Sequence, residues 1–350
     1  MKTVIIGYGY MGQIRKQVVD TMPELKLCGI CDPFLVPGLI PVDTAHYQDY
    51  RDAIDDVRPD IVFVCTPNRY TPDVCIYALE QGCHVFCEKP PGRNLTDIQR
   101  IIEVEQKHPD LKLMFGFNHR YHPAIVEAKA LVDAGRLGRI LWIRGVYGKS
   151  GGRGKEFEAS WRNDLAISGG GILLDQGVHM LDLFRFFCGE FQEVLGLLST
   201  AFWNVPVEDN AFVVLRNDQG QIAQLHSSAT LWKHTFRLEL GLEKAYLIVE
   251  GLLSKTGSYG REKLIIGHRP GDDEDTALGN PREEIVYFDK DLSWDFQVRE
   301  LVNCIKDSLP VTDSSSHDAL RVMEVIDAIY TQAQSKGPLV AVSIGNRGMQ

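Results

Sequence analysis

The first dozen residues most limit how this chain can fold. Thr3-Val-Ile-Ile6 reads as a short buried strand that runs straight into Gly7-Tyr-Gly9-Tyr-Met-Gly12, where a helical pattern begins. Glycines in a strand-to-helix turn let the backbone reverse tightly and approach a pyrophosphate lying against the helix N-terminus. A glycine fingerprint alone is common. Here Asp32 closes a second strand twenty positions after Gly12, the context that a dinucleotide-binding sheet requires. Its carboxylate can accept hydrogen bonds from the adenine ribose and repels a 2′-phosphate, and Pro33 beside it offers no cation. NAD is therefore expected in preference to NADP.

Strand candidates Thr3–Ile6, Lys26–Cys31, Ile61–Cys65, His84–Cys87 and Leu111–Phe115 alternate with helix candidates near 11–22, 70–81 and 94–107, and a shorter one before 58. Continuous Val, Ile, Phe and Cys runs in that alternation predict a parallel sheet covered on both faces. Ligands of such sheets bind beyond the carboxyl ends of the strands. Thr66-Pro67-Asn68 follows the third strand, Glu88-Lys89-Pro90 the fourth, and Gly116-Phe117-Asn118-His119-Arg120 the fifth. Gly7, Gly9, Tyr10, Met11, Gly12, Asp32, Thr66, Asn68, Glu88 and Lys89 are thus cofactor-binding candidates. Asn118 and His119 are candidates for substrate contact.

From about residue 121 the texture changes. Candidate strands at 139–147, 192–200, 209–216, 221–230, 235–241 and 244–250 follow with few helices between them, which predicts one large, mostly antiparallel sheet. Helices over 171–187, 294–308 and 317–334 are expected to cover one of its faces. Arg269–Arg282, rich in Gly, Pro and Asp, reads as a mobile loop. The expected architecture is an α/β Rossmann domain with a parallel sheet over 1–120, followed by an α+β substrate and oligomerisation domain with an open sheet over 121–340.

With 37 basic and 47 acidic side chains the net charge is −10, and no basic stripe is present, so nucleic acid and anionic membrane are not expected partners. No apolar run approaches about 18 residues and no leader pattern precedes the first strand, so a cytoplasmic protein without a membrane span is expected. Of eight cysteines, Cys28, Cys31, Cys65, Cys83 and Cys87 fall in or beside strands. They read as reduced, buried thiols, and no metal site is expected.

The second half carries one polar stripe in a greasy segment, Gly169-Gly-Gly-Ile-Leu-Leu-Asp175-Gln-Gly-Val-His179-Met-Leu-Asp182. Asp175 and His179 are one helical turn apart and share a face with Asp182. Taken alone, the pair fits a core histidine satisfied by its own aspartate. Buried polar groups without partners are costly, and the strand-end residues of the first domain favour a functional reading.

These motifs together resemble the Gfo/Idh/MocA oxidoreductase family, the glucose–fructose oxidoreductase and inositol dehydrogenase group. The markers are the glycine fingerprint, Thr66-Pro67-Asn68, Glu88-Lys89-Pro90, Trp161-Arg162 and Asp175-x-Gly-x-His179-x-x-Asp182. The resemblance implies that Lys89, Asp175 and His179 surround the substrate as the catalytic set. It also places Trp161 and Arg162 on the cofactor side of the cleft, and implies a homodimer or homotetramer through the C-terminal sheet. The expected activity is hydride transfer between NAD and a ring hydroxyl carbon of a sugar, cyclitol or nucleotide-linked sugar.

The cofactor carries the hydride chemistry and the protein supplies orientation and proton transfer. His179 is the natural base, since imidazole titrates near neutrality. Lys89 as an ammonium would stabilise the developing alkoxide, whereas a depressed pKa would make it a competing base. Asp175 would orient a neighbouring hydroxyl, and Asp182 would support the helix. A redox-neutral or reductive sugar-modifying enzyme and a non-catalytic sugar sensor are the alternatives. Trp232, Lys233 and His234 interrupt a strand, where they shape either a pocket or a subunit contact.

Overall fold

The computed structural model describes residues 1–35, 41, 44–152, 154–269 and 280–335. Strands β1 (Lys2–Ile6), β2 (Lys26–Cys31), β3 (Ala45–Tyr47), β4 (Ile61–Val64), β5 (His84–Cys87) and β6 (Leu113–Phe115) form one sheet in the order β3-β2-β1-β4-β5-β6. Every pairing in it is parallel. All four residues of β4 are fully buried, because crossover helices cover both faces. These are α1 (Tyr10–Thr21), α2 (Tyr50–Val57), α3 (Thr71–Glu80) and α4 (Leu95–Glu105). Asp49 and Asn94 start α2 and α4 by accepting from the backbone amides of Arg51 and Asp97. Strand order reverses between β1 and β4, so the turns after those strands open the crevice where such sheets take ligands.

After α5 (Pro123–Asp133) the chain enters an eight-stranded sheet. Its strands are β7 (Ile140–Gly148), β8 (Phe191–Ser199), β9 (Asn210–Asn217), β10 (Ile222–Ser228), β11 (Thr235–Leu242), β12 (Ala245–Glu250), β13 (Glu262–His268) and β14 (Glu283–Phe288). The order is β14-β13-β12-β11-β7-β10-β9-β8, with β7 and β10 as its parallel pair and the others antiparallel. Along β9, Ala211, Val213 and Leu215 are buried while Phe212 and Val214 are exposed, the period-two signature of a sheet with one covered face. Between β7 and β8 lie α6 (Gly154–Glu158), α7 (Leu165–Ser168) and α8 (Val178–Cys188); α9 (Ser293–Lys306) and α10 (Ser316–Gln334) close the described chain.

The helices depart from expectation in two respects. The segment predicted as a helix over 171–187 begins as a wide, π-helical turn, Leu173–Gly177, before α8 starts. The helix predicted at 294–308 does not cover the second sheet. As α9 it packs on α1 and β5, with Val298, Leu301 and Val302 in one core with Ile5, Val18 and Phe63. Its partner is set by a buried polar contact: Gln297 accepts from Arg15 Nη2 at 2.9 Å and donates to the Phe115 carbonyl at 2.9 Å. Among the described helices, α8 and α10 cover the β7–β10 part of the second sheet and α5 packs on β12, β13 and β14; α10 also touches α4 of the first unit. β3, β13 and β14 were not anticipated, and most of the loop expected at 269–282 lies outside the described residues.

A buried ionic seam ties the units together. Arg120, on a 3-10 turn over Asn118–Tyr121, donates to both oxygens of Asp182 on α8 at 2.8 and 2.6 Å. Asp318 in the first turn of α10 lies 3.0 Å from the same guanidinium, and its carbonyl accepts from Arg185 Nη1 at 3.1 Å. Asp182 is fully buried, so its charge depends on Arg120. Arg120→Met is expected to lower the unfolding free energy by about 3–5 kcal/mol in urea titration. Adding Asp182→Leu should recover most of that loss, and a double variant no more stable than the single one would contradict this role.

Candidate active site

The turn after β1 is built for a phosphate. Gly7 has φ +88°, and a Cβ there would lie 2.5 Å from the Cys65 carbonyl oxygen, so only glycine lets this turn pass beneath the loop after β4. At the α1 N-cap, Gly9 brings no capping side chain, and a Cβ there would meet nothing within 4 Å. The first amides of the helix, at Tyr10, Met11 and Gly12, have no intrahelical partner. Asp32, at the end of β2, accepts from the amides of Tyr8 (2.8 Å) and Phe34 (2.9 Å), which fixes its carboxylate beside that turn. These residues fit a dinucleotide.

The loops after β4 and β5 are fastened differently. Asn68 Nδ2 donates to the Ser168 carbonyl at 2.6 Å and the Arg69 amide to Ile167 at 3.0 Å, so this rim is sewn to α7 of the other unit. Thr66 hydrogen-bonds Thr71 at 3.1 Å. Glu88 turns inward to Arg15 Nε at 2.6 Å, a fully buried guanidinium that lies 4.1 Å over the Phe86 ring. Its neighbour Lys89 points the other way.

Lys89 Nζ donates to the Asp175 carbonyl at 2.5 Å and lies 3.6 Å from Asp175 Oδ1. Two further cations reach that carboxylate: Lys149 Nζ at 2.8 Å from Oδ2 and Arg162 Nε at 3.5 Å from Oδ1. Burial alone would raise the Asp175 pKa, but Lys149, Lys89 and Arg162 outweigh it and hold the carboxyl far below the usual range. Burial pulls the Lys89 pKa down, helped by Arg162 and Lys149 and opposed by Asp175.

This cluster stands where two hollows meet. A small one, about 90 Å³, is lined by Thr66, Asn68, Glu88, Pro90, Trp161 and Ser168; a larger cleft, about 510 Å³, includes Tyr10, Tyr147, Lys149, Phe157, Gln176 and Glu208. Met11, Lys89, Arg162 and Asp175 line both. The turn carrying Asp175 is pinned from behind by the Glu208 carboxylate, which accepts from the amides of Gly171 and Leu173 and from the Tyr330 hydroxyl. A Cβ on Gly171 would sit 2.1 Å from the Glu208 carbonyl, so a glycine is needed for that approach.

His179 lies behind Asp175, 5% exposed, with its ring stacked on His119 at 3.8 Å between centroids. Neither imidazole lines the two hollows. His179 Nδ1 and His119 Nε2 are buried without a hydrogen-bond partner. Burial lowers both pKa values well below the usual imidazole range; Lys89 and His122 reinforce this at His179, and His179, His122 and Lys89 at His119. Asn118 is buried among Ser293, His122 and His119, away from both hollows.

Sequence reasoning brought Lys89, Asp175, Trp161 and Arg162 to one place and missed Lys149, Tyr147, Gln176 and Glu208. Lys149 follows the end of β7, and only the sheet register brings it to Asp175. The expected stripe of Asp175, His179 and Asp182 divides in space: the first faces the cleft, the second is stacked below, and the third serves Arg120.

Comparison with known proteins agrees with this architecture. Residues 1–117 match the oxidoreductase family with an NAD-binding Rossmann fold, and residues 125–248 match the GFO/IDH/MocA C-terminal domain. The chain therefore belongs to the Gfo/Idh/MocA oxidoreductase family. It is 33% identical to levoglucosan dehydrogenase of Pseudarthrobacter phenanthrenivorans over 49% of this chain and 44% of that protein. To inositol 2-dehydrogenase of Salmonella typhimurium it is 31% identical, over 41% and 45%. The chain thus spans under half the length of these two relatives. It is 24% identical to D-glucoside 3-dehydrogenase of Escherichia coli over 96% of both. The solved levoglucosan dehydrogenase in complex with NADH and levoglucosan shares the fold, with a TM-score of 0.83 at 22% identity across 96% of this chain and 97% of that one. Among the described residues, no helix is long and apolar enough to cross a membrane.

Imidazoles kept neutral in the fold but free to protonate near pH 6.5 when unfolded make stability fall as pH drops below that value. Each should contribute a slope of about 1.4 kcal/mol per pH unit between about pH 6.5 and 5. In His119→Phe, which keeps an aromatic ring against His179, denaturant unfolding should show that slope reduced by one ring's share. An unchanged slope would contradict the neutral pair.

Proposed function

We propose that this chain transfers a hydride between NAD and a ring hydroxyl carbon of a sugar or cyclitol. The observation that carries the reading is the junction of the two hollows at Lys89, Arg162 and Asp175. The small hollow adjoins the glycine turn and suits the nicotinamide end of the cofactor. The larger cleft presents cations, a fixed carboxylate and the Gln176 amide, groups suited to hydroxyls.

NAD supplies the hydride acceptor or donor when bound, held by the Gly7–Gly12 turn, Asp32, Thr66, Asn68, Trp161 and Arg162. Asp32 is the group that favours NAD over NADP. In the cleft, Lys89 Nζ meets the reacting hydroxyl. As an ammonium it stabilises alkoxide character, and its burial-lowered pKa lets it also exchange the hydroxyl proton. Asp175, held ionised by three cations, accepts from an adjacent hydroxyl and orients the ring. His179, neutral and buried behind Asp175 outside both hollows, acts as a positioning residue for the turn that carries Asp175. Lys89→Ala should lower kcat/KM by about 10²–10⁴-fold while NAD affinity, followed by calorimetry, stays largely intact. A near wild-type rate in that variant would overturn the mechanism.

A self-associated form follows from the open face of the second sheet. Trp142, Leu195, Leu197, Phe212, Val214 and Ile222 all stand there exposed on neighbouring strands, the kind of grouped apolar surface that marks an association site. A homodimer or homotetramer through this face is the proposed assembly. Light scattering should find an oligomer that Phe212→Glu converts to a smaller species, and a monomeric wild type would contradict it.

A further inference from the structure

Away from the charged cluster, the cleft runs into an aromatic surface that the chemistry above leaves unused. Phe157, Val205 and Ala229 line that outer part. Trp203 packs behind them, with its ring centroid 4.6 Å from Phe157 and its Nε1 donating to the Ala229 carbonyl at 2.9 Å. Farther out stand Phe202 and Trp232, edge to face with centroids 5.0 Å apart, and respectively 5.0 and 6.4 Å from Trp203. Both are 62% exposed.

These rings are not on slack chain. The Asp209 carboxylate accepts from the amides of Ala201, Phe202 and Trp203 at 2.8, 2.8 and 2.9 Å. The Leu231 amide donates to the Lys149 carbonyl at 3.2 Å, and His234 Nε2 lies 3.2 Å from Ser150 Oγ. The shelf is therefore anchored to the residue whose ammonium binds Asp175. Two large rings fixed from below and left in water form a preorganised apolar platform, one that loses little freedom when it is covered.

We propose that Phe202 and Trp232 form an outer subsite that stacks against a second ring attached to the sugar being oxidised. The substrate class is then a glycoside bearing a sugar or aryl ring, rather than a free monosaccharide or cyclitol. This rests on the dehydrogenase reading of the same cleft. The charged groups gather at the Lys89 end, where hydroxyls must be gripped. The apolar rings lie beyond Phe157 and Val205, where a ring face needs only surface contact. The shelf is also continuous with the cleft lining through Trp203 and Phe157, whereas the exposed Trp142 and Phe212 stand on the open face of the second sheet.

The test uses methyl and phenyl β-glycosides of glucose, galactose and mannose, bound by the full chain at saturating NAD and followed by calorimetry. For the ring that binds, the phenyl glycoside should bind about tenfold tighter than its methyl counterpart. The Phe202→Ala/Trp232→Ala variant should lose that advantage, and Trp232→Phe should keep most of it. Equal affinities, an advantage that survives the double variant, or no binding by any glycoside overturns the proposal. A smaller species in sedimentation of the double variant overturns it too, by making the shelf a subunit contact. Turnover separates the two readings. Phenyl preference without oxidation of any ring counts against the dehydrogenase reading alone, and oxidation with equal KM for methyl and phenyl counts against the subsite alone.

Discussion

One carboxylate with three cations around it organises this molecule's chemistry. Asp175 meets Lys89 from the strand-end loop after β5, Lys149 from the end of β7, and Arg162 from the connection before α7. No single element could hold that many charges out of water, because each ion removed from solvent costs several kcal/mol unless its partners are fixed in place. The arrangement therefore depends on two sheets being held at one separation. Their fastening is correspondingly heavy: Asn68 and Arg69 to α7, Arg120 to Asp182 and Asp318, and α10 spanning α4 and β8.

A second chain of contacts reaches the same centre from behind. Gln297 on α9 holds Arg15, Arg15 holds Glu88, and Glu88 precedes the lysine that faces the cleft. The glycine turn and the lysine loop are thus locked by one buried guanidinium, so the dinucleotide crevice and the charged cluster keep a fixed relation. On the other side, Glu208 pins the amides that open the π-helical turn carrying Asp175. The site is rigid on both walls, as electrostatic preorganisation requires.

Much of this was legible in the chain. Strand–helix alternation and the glycine turn pointed to the parallel sheet, and alternating apolar positions pointed to the open one. What failed has physical reasons. The periodicity of α9 marks the face it buries but not the sheet that receives it, and the decisive contact is one polar pair, Gln297 with Arg15. Lys149 carries no local signal, since only the pairing of β7 with β10 and β11 sets where its ammonium reaches. Spacing put His179 on a face with Asp175, yet the stacking on His119 needs the turn after β6 to arrive from the other unit. β3, Ala45-His-Tyr47, is only partly buried and lacks the continuous apolar run that marks the equally short β6.

The fate of a single hydrogen tests the central claim most directly. A glycoside deuterated at its ring carbons, incubated with this protein and NAD, should yield reduced cofactor that carries one deuterium on the nicotinamide, as read by mass spectrometry. Reduced cofactor without the label would mean that no ring carbon gives up its hydrogen in this cleft, and would contradict the account.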